Sequence, residues 1–140
     1  MDVQTGDTRY IQSGVIPFRR NEGNIEILLI TNKKKDKWGI PKGIVESTLS
    51  ASESAQKEAF EEAGIYGKVC KPSLGKYSKK KWDGKCIIKV FAMEVTQILV
   101  NYPESMLRKR EWYAVKDAAE MIKNKKLKAM ILSLPESLEV

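Results

Sequence analysis

The sequence predicts a mixed α/β (α+β) domain. Three observations carry that expectation. The first third alternates β-branched and aromatic residues around a turn signal, Ser50 to Ala63 carries helical periodicity with matched start and stop signals, and strand-like segments then precede two helical ones. At 140 residues the chain reads as one domain over 1–140, long enough to bury a core without disulfide staples.

Residues 1–8 read as a loose polar arm. Arg9 to Arg19 carries Tyr10, Ile11, Val15, Ile16 and Phe18, and Ile25 to Thr31 is a second apolar run; Asn21-Glu22-Gly23-Asn24 between them predicts a β-hairpin. Asn32 to Lys37 is a basic loop. Two glycines and a proline in Trp38-Gly39-Ile40-Pro41-Lys42-Gly43 predict irregular backbone.

In the central helix Ser50 and Glu53 form a capping-box pattern, Ala51, Ala55, Ala59 and Ala63 recur every four residues, and Gly64 sits where a C-terminal stop belongs. Tyr66 to Tyr77 reads as a strand broken near Pro72, Ser78 to Lys85 as a basic loop around Trp82-Asp83-Gly84, and Cys86 to Val95 as a strand. Glu111 to Val115 suggests a short strand. Lys116 to Asn124 and Lys126 to Leu134 read as helical, with Pro135 ending the last.

Composition narrows the chemistry. The chain has no histidine, which excludes histidine-based triads and His-ligated zinc. A general base must then be a carboxylate or, failing that, Lys, Tyr or Cys, and side-chain metal ligands would be oxygens, which suit Mg²⁺ or Mn²⁺. Cys70 and Cys86 form no Cys-x-x-Cys pair and read as reduced structural thiols. No apolar run approaches the ~20 residues that span a bilayer, and no secretory pattern opens the chain, so the expected compartment is the cytoplasm and no membrane partner is expected. Twenty-five Lys and Arg against 18 acidic residues give a formal charge of +7, which suggests an anionic partner without naming it.

The central helix also carries Glu58, Glu61 and Glu62. At ~100° per residue Glu58 and Glu62 lie about 40° apart, with Glu61 about 60° to the other side. A run of charges on a helix ordinarily just faces water. Here three carboxylates crowd one face near the negative end of the macrodipole, where they repel unless a cation compensates. A bound divalent ion would supply that compensation, and the glycine-rich segment before the helix could offer it a backbone carbonyl.

With these residues in place the sequence resembles the Nudix family. Its pattern is Gly, five residues, Glu, seven residues, Arg-Glu, an apolar residue, any residue, Glu-Glu, any residue, Gly and an apolar residue. Here Gly43 opens the box, Lys57-Glu58, Ala59, Phe60, Glu61-Glu62, Ala63, Gly64 and Ile65 close it, and two positions depart: Leu49 stands at the first Glu and Lys57 at the Arg. Trp38 to Gly43 and Arg108-Lys109-Arg110-Glu111-Trp112-Tyr113 resemble segments of the hydrolases of diphosphoinositol polyphosphates and dinucleoside polyphosphates, and the likeness covers most of residues 9–130.

The resemblance implies a mixed sheet sandwiched between helices and a metal-dependent cleavage of phosphoanhydride bonds in a polyphosphorylated small molecule. It implies that Glu58 and Glu62 are metal ligands, that Glu61 is a third ligand or the base that activates water, and that Gly43 contributes a carbonyl. Mg²⁺ or Mn²⁺ would be the cofactor. Losing both Glu and Arg of the box should leave no charged partner stranded.

The same likeness assigns Lys33, Lys42, Lys81, Arg108 and Lys126 to the gripping of polyphosphate, although any single lysine is by default a solvated surface group. Trp38 and Trp82 lie in predicted loops where they could stack on a base, whereas Trp112 is expected in the core. Nucleic acid is a possible but less favoured partner, because no recognised nucleic-acid motif is present. The alternative readings are a nucleotide-pool or RNA 5′-end pyrophosphohydrolase, and a ligand-binding module of weak activity.

Overall fold

The computed structural model describes residues 8–81 and 83–139, so the arm expected over residues 1–8, apart from the strand position of Thr8, and the loop role of Trp82 lie outside the described residues. Seven strands form one mixed sheet. They are β1 (Thr8–Asn21), β2 (Asn24–Thr31), β3 (Trp38–Gly39), β4 (Lys42–Ile44), β5 (Ile65–Lys81), β6 (Gly84–Ile98) and β7 (Arg110–Ala114). The order is β3-β2-β1-β6-β5, with β4 on β1 and β7 on β2. The β1–β6 pair is parallel and the other pairs are antiparallel.

Helices cover both faces. In β2, Ile27 and Leu29 point to one side, into a core with Ile16, Phe18, Ile88, Val90 and the helices α2 (Val115–Glu120) and α3 (Lys125–Ser137). Leu28 and Ile30 point to the other side, where Ala55, Ala59 and Ala63 of the central helix meet Val15, Phe91 and Met93. A strand buried on both faces reads as an unbroken apolar run, which is what Ile27-Leu28-Leu29-Ile30 is. The four-residue alanine repeat lets the helix approach the sheet closely, and the expected sandwich is present.

The first hairpin turns at Glu22 and Gly23, both with positive φ (53° and 85°), the geometry of a type I′ turn. α1 (Ala51–Glu58) starts at the expected capping box: the Ser50 hydroxyl accepts from the Glu53 amide at 3.1 Å, and Glu53 Oε1 accepts from the Ser50 amide at 2.8 Å. Gly64 ends the helical run at φ 66°, as expected.

Four expectations need correction. Residues 38–43 are not wholly irregular: they pair as β3 and β4, because the sheet offers Thr31 and Ser13 as backbone partners. Ser78–Lys85 is not a loop. β5 and β6 run to Lys81 and back from Gly84, since Tyr77, Cys86 and Ile88 keep one face buried through an otherwise polar stretch. The helix widens to π geometry over Ala59–Ala63. Finally, α3 continues through Pro135 to Ser137, anchored by the buried Ile131 and Leu134. The ladder break near Pro72 falls as expected, between Cys70 and Gly75. Both cysteines are free. Among the described residues, no helix is long and apolar enough to cross a membrane.

Candidate active site

The π turn shapes the site. Widening a helix by one residue frees carbonyls that must find other donors. The Glu61 carbonyl accepts from the Glu104 amide at 3.0 Å, and the Arg110 guanidinium caps the Ala63 and Gly64 carbonyls at 2.7 and 3.3 Å. The helix end carrying Glu61 and Glu62 is thereby tied to the segment that leads into β7.

Two of the three helix carboxylates meet. Glu58 lies directly over Gly43, so close that a Cβ on Gly43 would stand 2.7 Å from Glu58 Oε1 and nearer still to the other carboxyl atoms. Any side chain at position 43 would displace the Glu58 carboxylate. Burial, then the charges of Glu62, Glu61 and Glu104, push the Glu58 carboxyl up to about 7. Glu62 is buried, with its Oε1 accepting from the Lys42 amide at 3.1 Å and its Oε2 3.5 Å from Arg108 Nη2. Burial raises its pKa, and the Arg108 charge opposes the rise.

Glu61 is turned elsewhere: its Oε2 lies 3.9 Å from Lys57 Nζ. Lys57 itself binds Glu46 Oε2 at 2.5 Å, so the lysine at the box's Arg position has a charged partner after all. Among the described residues, no set of three or more carboxylate or thiol side chains converges as a ready-made metal cage.

Beside these carboxylates opens a cavity of about 690 Å³. Its charged wall contains Lys37, Lys42, Lys79, Arg108 and Lys123; its apolar wall contains Trp38, Ile40, Met121, Ile122 and Leu127. Trp38 packs edge-on against Tyr113 with ring centroids 5.5 Å apart. Burial, followed by the neighbouring Lys79 charge, lowers Lys42 to about 8. Burial raises the Tyr77 hydroxyl, which lines the same cavity and stays neutral.

Of the residues expected to grip polyphosphate, Lys42 and Arg108 line this cavity, whereas Lys33, Lys81 and Lys126 lie outside the lining. The Asn32 side chain closes the β2–β3 loop by accepting from the Asp36 and Lys37 amides at 3.1 and 3.4 Å, which brings Lys37 to the cavity and leaves Lys33 exposed. Lys81 acts on Lys42 through its charge from two positions along β5. Lys126 is exposed in the first turn of α3, and the cavity takes Lys123 and Asn124 instead.

Arg108 is largely committed to the protein: Nε donates to Glu104 at 2.8 Å and Nη1 to the Thr31 carbonyl at 3.1 Å. Sequence reasoning gave Lys37, Lys79, Lys123 and Glu104 no site role of their own. Alternation along β5 (Tyr77, Lys79, Lys81 on one face) and the four-residue spacing of Glu104 and Arg108 were the signals that could have found two of them. Trp112 is half-buried, with the Arg19 guanidinium 4.2 Å above its ring.

The profile of the NUDIX domain matches residues 9–132. Nudix hydrolase 21, chloroplastic, of Arabidopsis thaliana is 36% identical over 121 residues, covering 79% of this chain and 59% of that protein. Diphosphoinositol polyphosphate phosphohydrolase 3-beta of Bos taurus is 35% identical over 106 residues, covering 74% of this chain and 63% of the relative. The chain therefore spans about three fifths of the length of these relatives. The crystal structure of C. elegans Ap4A hydrolase superposes with a TM-score of 0.77 at 18% identity, over 94% of this chain and 99% of the other, which shows the shared fold.

Proposed function

The chain belongs to the Nudix family, and from that premise we propose that it is a divalent-metal-dependent pyrophosphohydrolase of polyphosphorylated small molecules. The observation that carries this reading is the meeting of Glu58, Glu62 and Gly43 beside a cavity whose lining carries Lys37, Lys42, Lys79, Arg108 and Lys123. The donor chemistry fits the ion: Mg²⁺ is commonly held by one or two carboxylates, with substrate phosphates and waters completing its shell. Glu58 and Glu62, with the Gly43 carbonyl, would hold Mg²⁺ or Mn²⁺, and Glu61 would serve as a third ligand or as the base that takes a proton from water. Bound there, the ion would neutralise phosphate oxygens and lower the pKa of water.

The chain's own residues do the rest. Arg108 holds Glu62 in place through its contacts to Glu62, Glu104 and Thr31. Lys42, held below the ordinary lysine range by burial and by Lys79, becomes fully charged when an anion enters. Lys37, Lys79 and Lys123 add charge around the phosphates. Diphosphoinositol polyphosphates and dinucleoside polyphosphates are the substrate classes of this reading, resting on relatives whose names carry those activities. Trp38, Met121 and Ile122 in the cavity lining offer a nucleobase an apolar contact, which suits the dinucleoside class.

The test is phosphate and nucleotide release from both classes, from nucleoside triphosphates and from 5′-triphosphate RNA, with Mg²⁺, Mn²⁺ or chelator. Metal-dependent cleavage that is abolished in Glu62→Gln supports the reading. Tight binding without turnover across the whole panel overturns it in favour of a binding module.

A further inference from the structure

Among the described residues, no helix covers the face of the β1–β6–β5 sheet that continues beyond α1. α1 begins above Ser13, whose hydroxyl donates to the Ala51 carbonyl at 2.7 Å. Past that point three cross-strand rows remain, read from the register. Arg9, Lys85 and Lys80 form one row; Ile11, Ile87 and Ser78 the next; Lys89 and Lys76, beside the buried Ser13, the third. The alternate residues Tyr10, Cys86, Ile88 and Tyr77 face the core behind α3. Arg9, Lys76, Lys80, Lys85 and Lys89 are all exposed, and Ile11 is 52% exposed between them.

Like charges directly opposite one another destabilise a sheet, so this arrangement works against the fold. None of the five cations is in an ion pair with another described residue. The carboxylates nearby are engaged elsewhere: Asp83 accepts from the Tyr10 hydroxyl, Glu46 binds Lys57, and Glu53 closes the capping box. Lysines on an edge strand can serve to block edge-to-edge pairing, which would account for Lys76 and Lys80 on β5. It does not account for Lys85 and Lys89 on the interior strand β6, or for Arg9 on β1.

We infer that this sheet face binds the phosphate backbone of a single-stranded nucleic acid. Strand spacing of about 5 Å and a rise of about 3.3 Å per residue spread the five cations over roughly 10 by 13 Å, a length of a few nucleotides. The exposed Ile11 and half-buried Ile87 give bases or riboses an apolar contact that a bare polyphosphate chain cannot use. The cations also continue around the sheet edge: along β5, Lys76 and Lys80 face outward while Lys79 lies in the catalytic cavity. A flexible chain can follow that edge, whereas a flat anionic bilayer meets only the outer face.

The experiment is binding of a fluorescent twelve-nucleotide single strand across a salt series, for the wild type and for a combined Lys76→Gln, Lys80→Gln, Lys85→Gln, Lys89→Gln variant. Inorganic polyphosphate and phosphatidylserine vesicles serve as further arms. Five phosphate contacts at ~0.7 counterions each give a slope of about −3.5, or a roughly 100-fold loss of affinity from ~50 to ~200 mM salt. The variant, with Arg9 alone, should show a loss of about threefold over that range, while a Lys→Arg version at the same four positions keeps the wild-type slope.

Hydrolysis of a small polyphosphate should be equal in all three proteins, because none of the four lysines lines the cavity. Absence of strand binding, a slope unchanged in the glutamine variant, or capture of vesicles or polyphosphate in place of the strand would overturn the inference. A protein that binds the strand as expected but hydrolyses nothing would instead overturn the enzymatic reading alone.

Discussion

Replacing Gly43 by alanine tests the geometry of the carboxylate pair most directly. The new Cβ would overlap the Glu58 carboxyl carbon and both its oxygens, whereas ordinary contact begins at 3.4 Å, so the carboxylate must retreat by about 1 Å or more. Glu58 ends in a flexible side chain and Gly43 has an ordinary strand φ, so the backbone need not move. Thermal stability in chelator should therefore change by less than about 1 kcal/mol, with part of any loss offset by the reduced freedom of the unfolded chain. Catalysis should suffer far more, because a misplacement of about 1 Å can cost roughly 100-fold in rate.

The assay is phosphate release as a function of metal concentration, beside Glu58→Gln and the double variant. If alanine acts by displacing Glu58, the double variant is no slower than Glu58→Gln alone. Gly39→Ala is the folding control, since nothing lies within 4 Å of its added Cβ. Near-wild-type turnover in Gly43→Ala, or losses that add fully in the double variant, would refute the placement of Glu58 over Gly43 as the working geometry.

Three further outcomes follow from the same contacts. Glu62→Gln should lower turnover by orders of magnitude and Glu61→Gln likewise, with both proteins folded by circular dichroism; wild-type rates in both would remove these carboxylates from the reaction. In metal-free protein Glu58 titrates near 7 rather than near the ordinary ~4.3, so its contribution to stability is fully present below about pH 4 and is lost as pH rises through 7. Melting in chelator between pH 5 and 8 should show a fall on the order of 1–2 kcal/mol after discounting for its partial exposure, and Glu58→Gln should flatten that slope. Gly64→Ala should destabilise by more than about 2 kcal/mol, because φ is 66° and the added Cβ would stand 2.5 Å from Tyr102 Cγ and 2.7 Å from Arg110 Nη1; an unchanged melting temperature would contradict the cap.

What was legible in the sequence was whatever short-range chemistry decides. The capping box at Ser50, the αL stop at Gly64 and the turn at Glu22-Gly23 each depend on residues within four positions, and each stands where the pattern put it. The π turn at Ala59–Ala63 could not be read that way. Its freed carbonyls are satisfied by Glu104 and Arg110, about 45 residues away, and no local propensity announces that. The basic hairpin tip was misread as a loop for a similar reason. Lys79, Lys80, Lys81 and Lys85 look like solvated polar sequence until Tyr77 and Cys86, at the two ends of the stretch, are seen to be buried in the core. That reading also sent the phosphate-gripping role to Lys81 and away from Lys79, which the strand turns into the cavity.

The two departures from the family pattern show where position-by-position comparison fails. Leu49 and Lys57 suggest that the loop ahead of the helix has lost its tie to the helix. The tie exists, displaced by three residues. Glu46 donates its amide to the buried Ser54 hydroxyl at 3.0 Å, accepts the Leu49 amide on its carbonyl at 3.1 Å and pairs its carboxylate with Lys57. Lys57 in turn stands 3.9 Å from Glu61, so the displaced pair still faces the helix carboxylates. An exposed ion pair of this kind contributes less than about 1 kcal/mol to stability, which makes its value positional rather than energetic. A carboxylate does not need a fixed spacing to meet a lysine; it needs the loop to bring it within reach. The loop from Ile44 to Leu49, with its backbone anchored at Ser54, does so from Glu46.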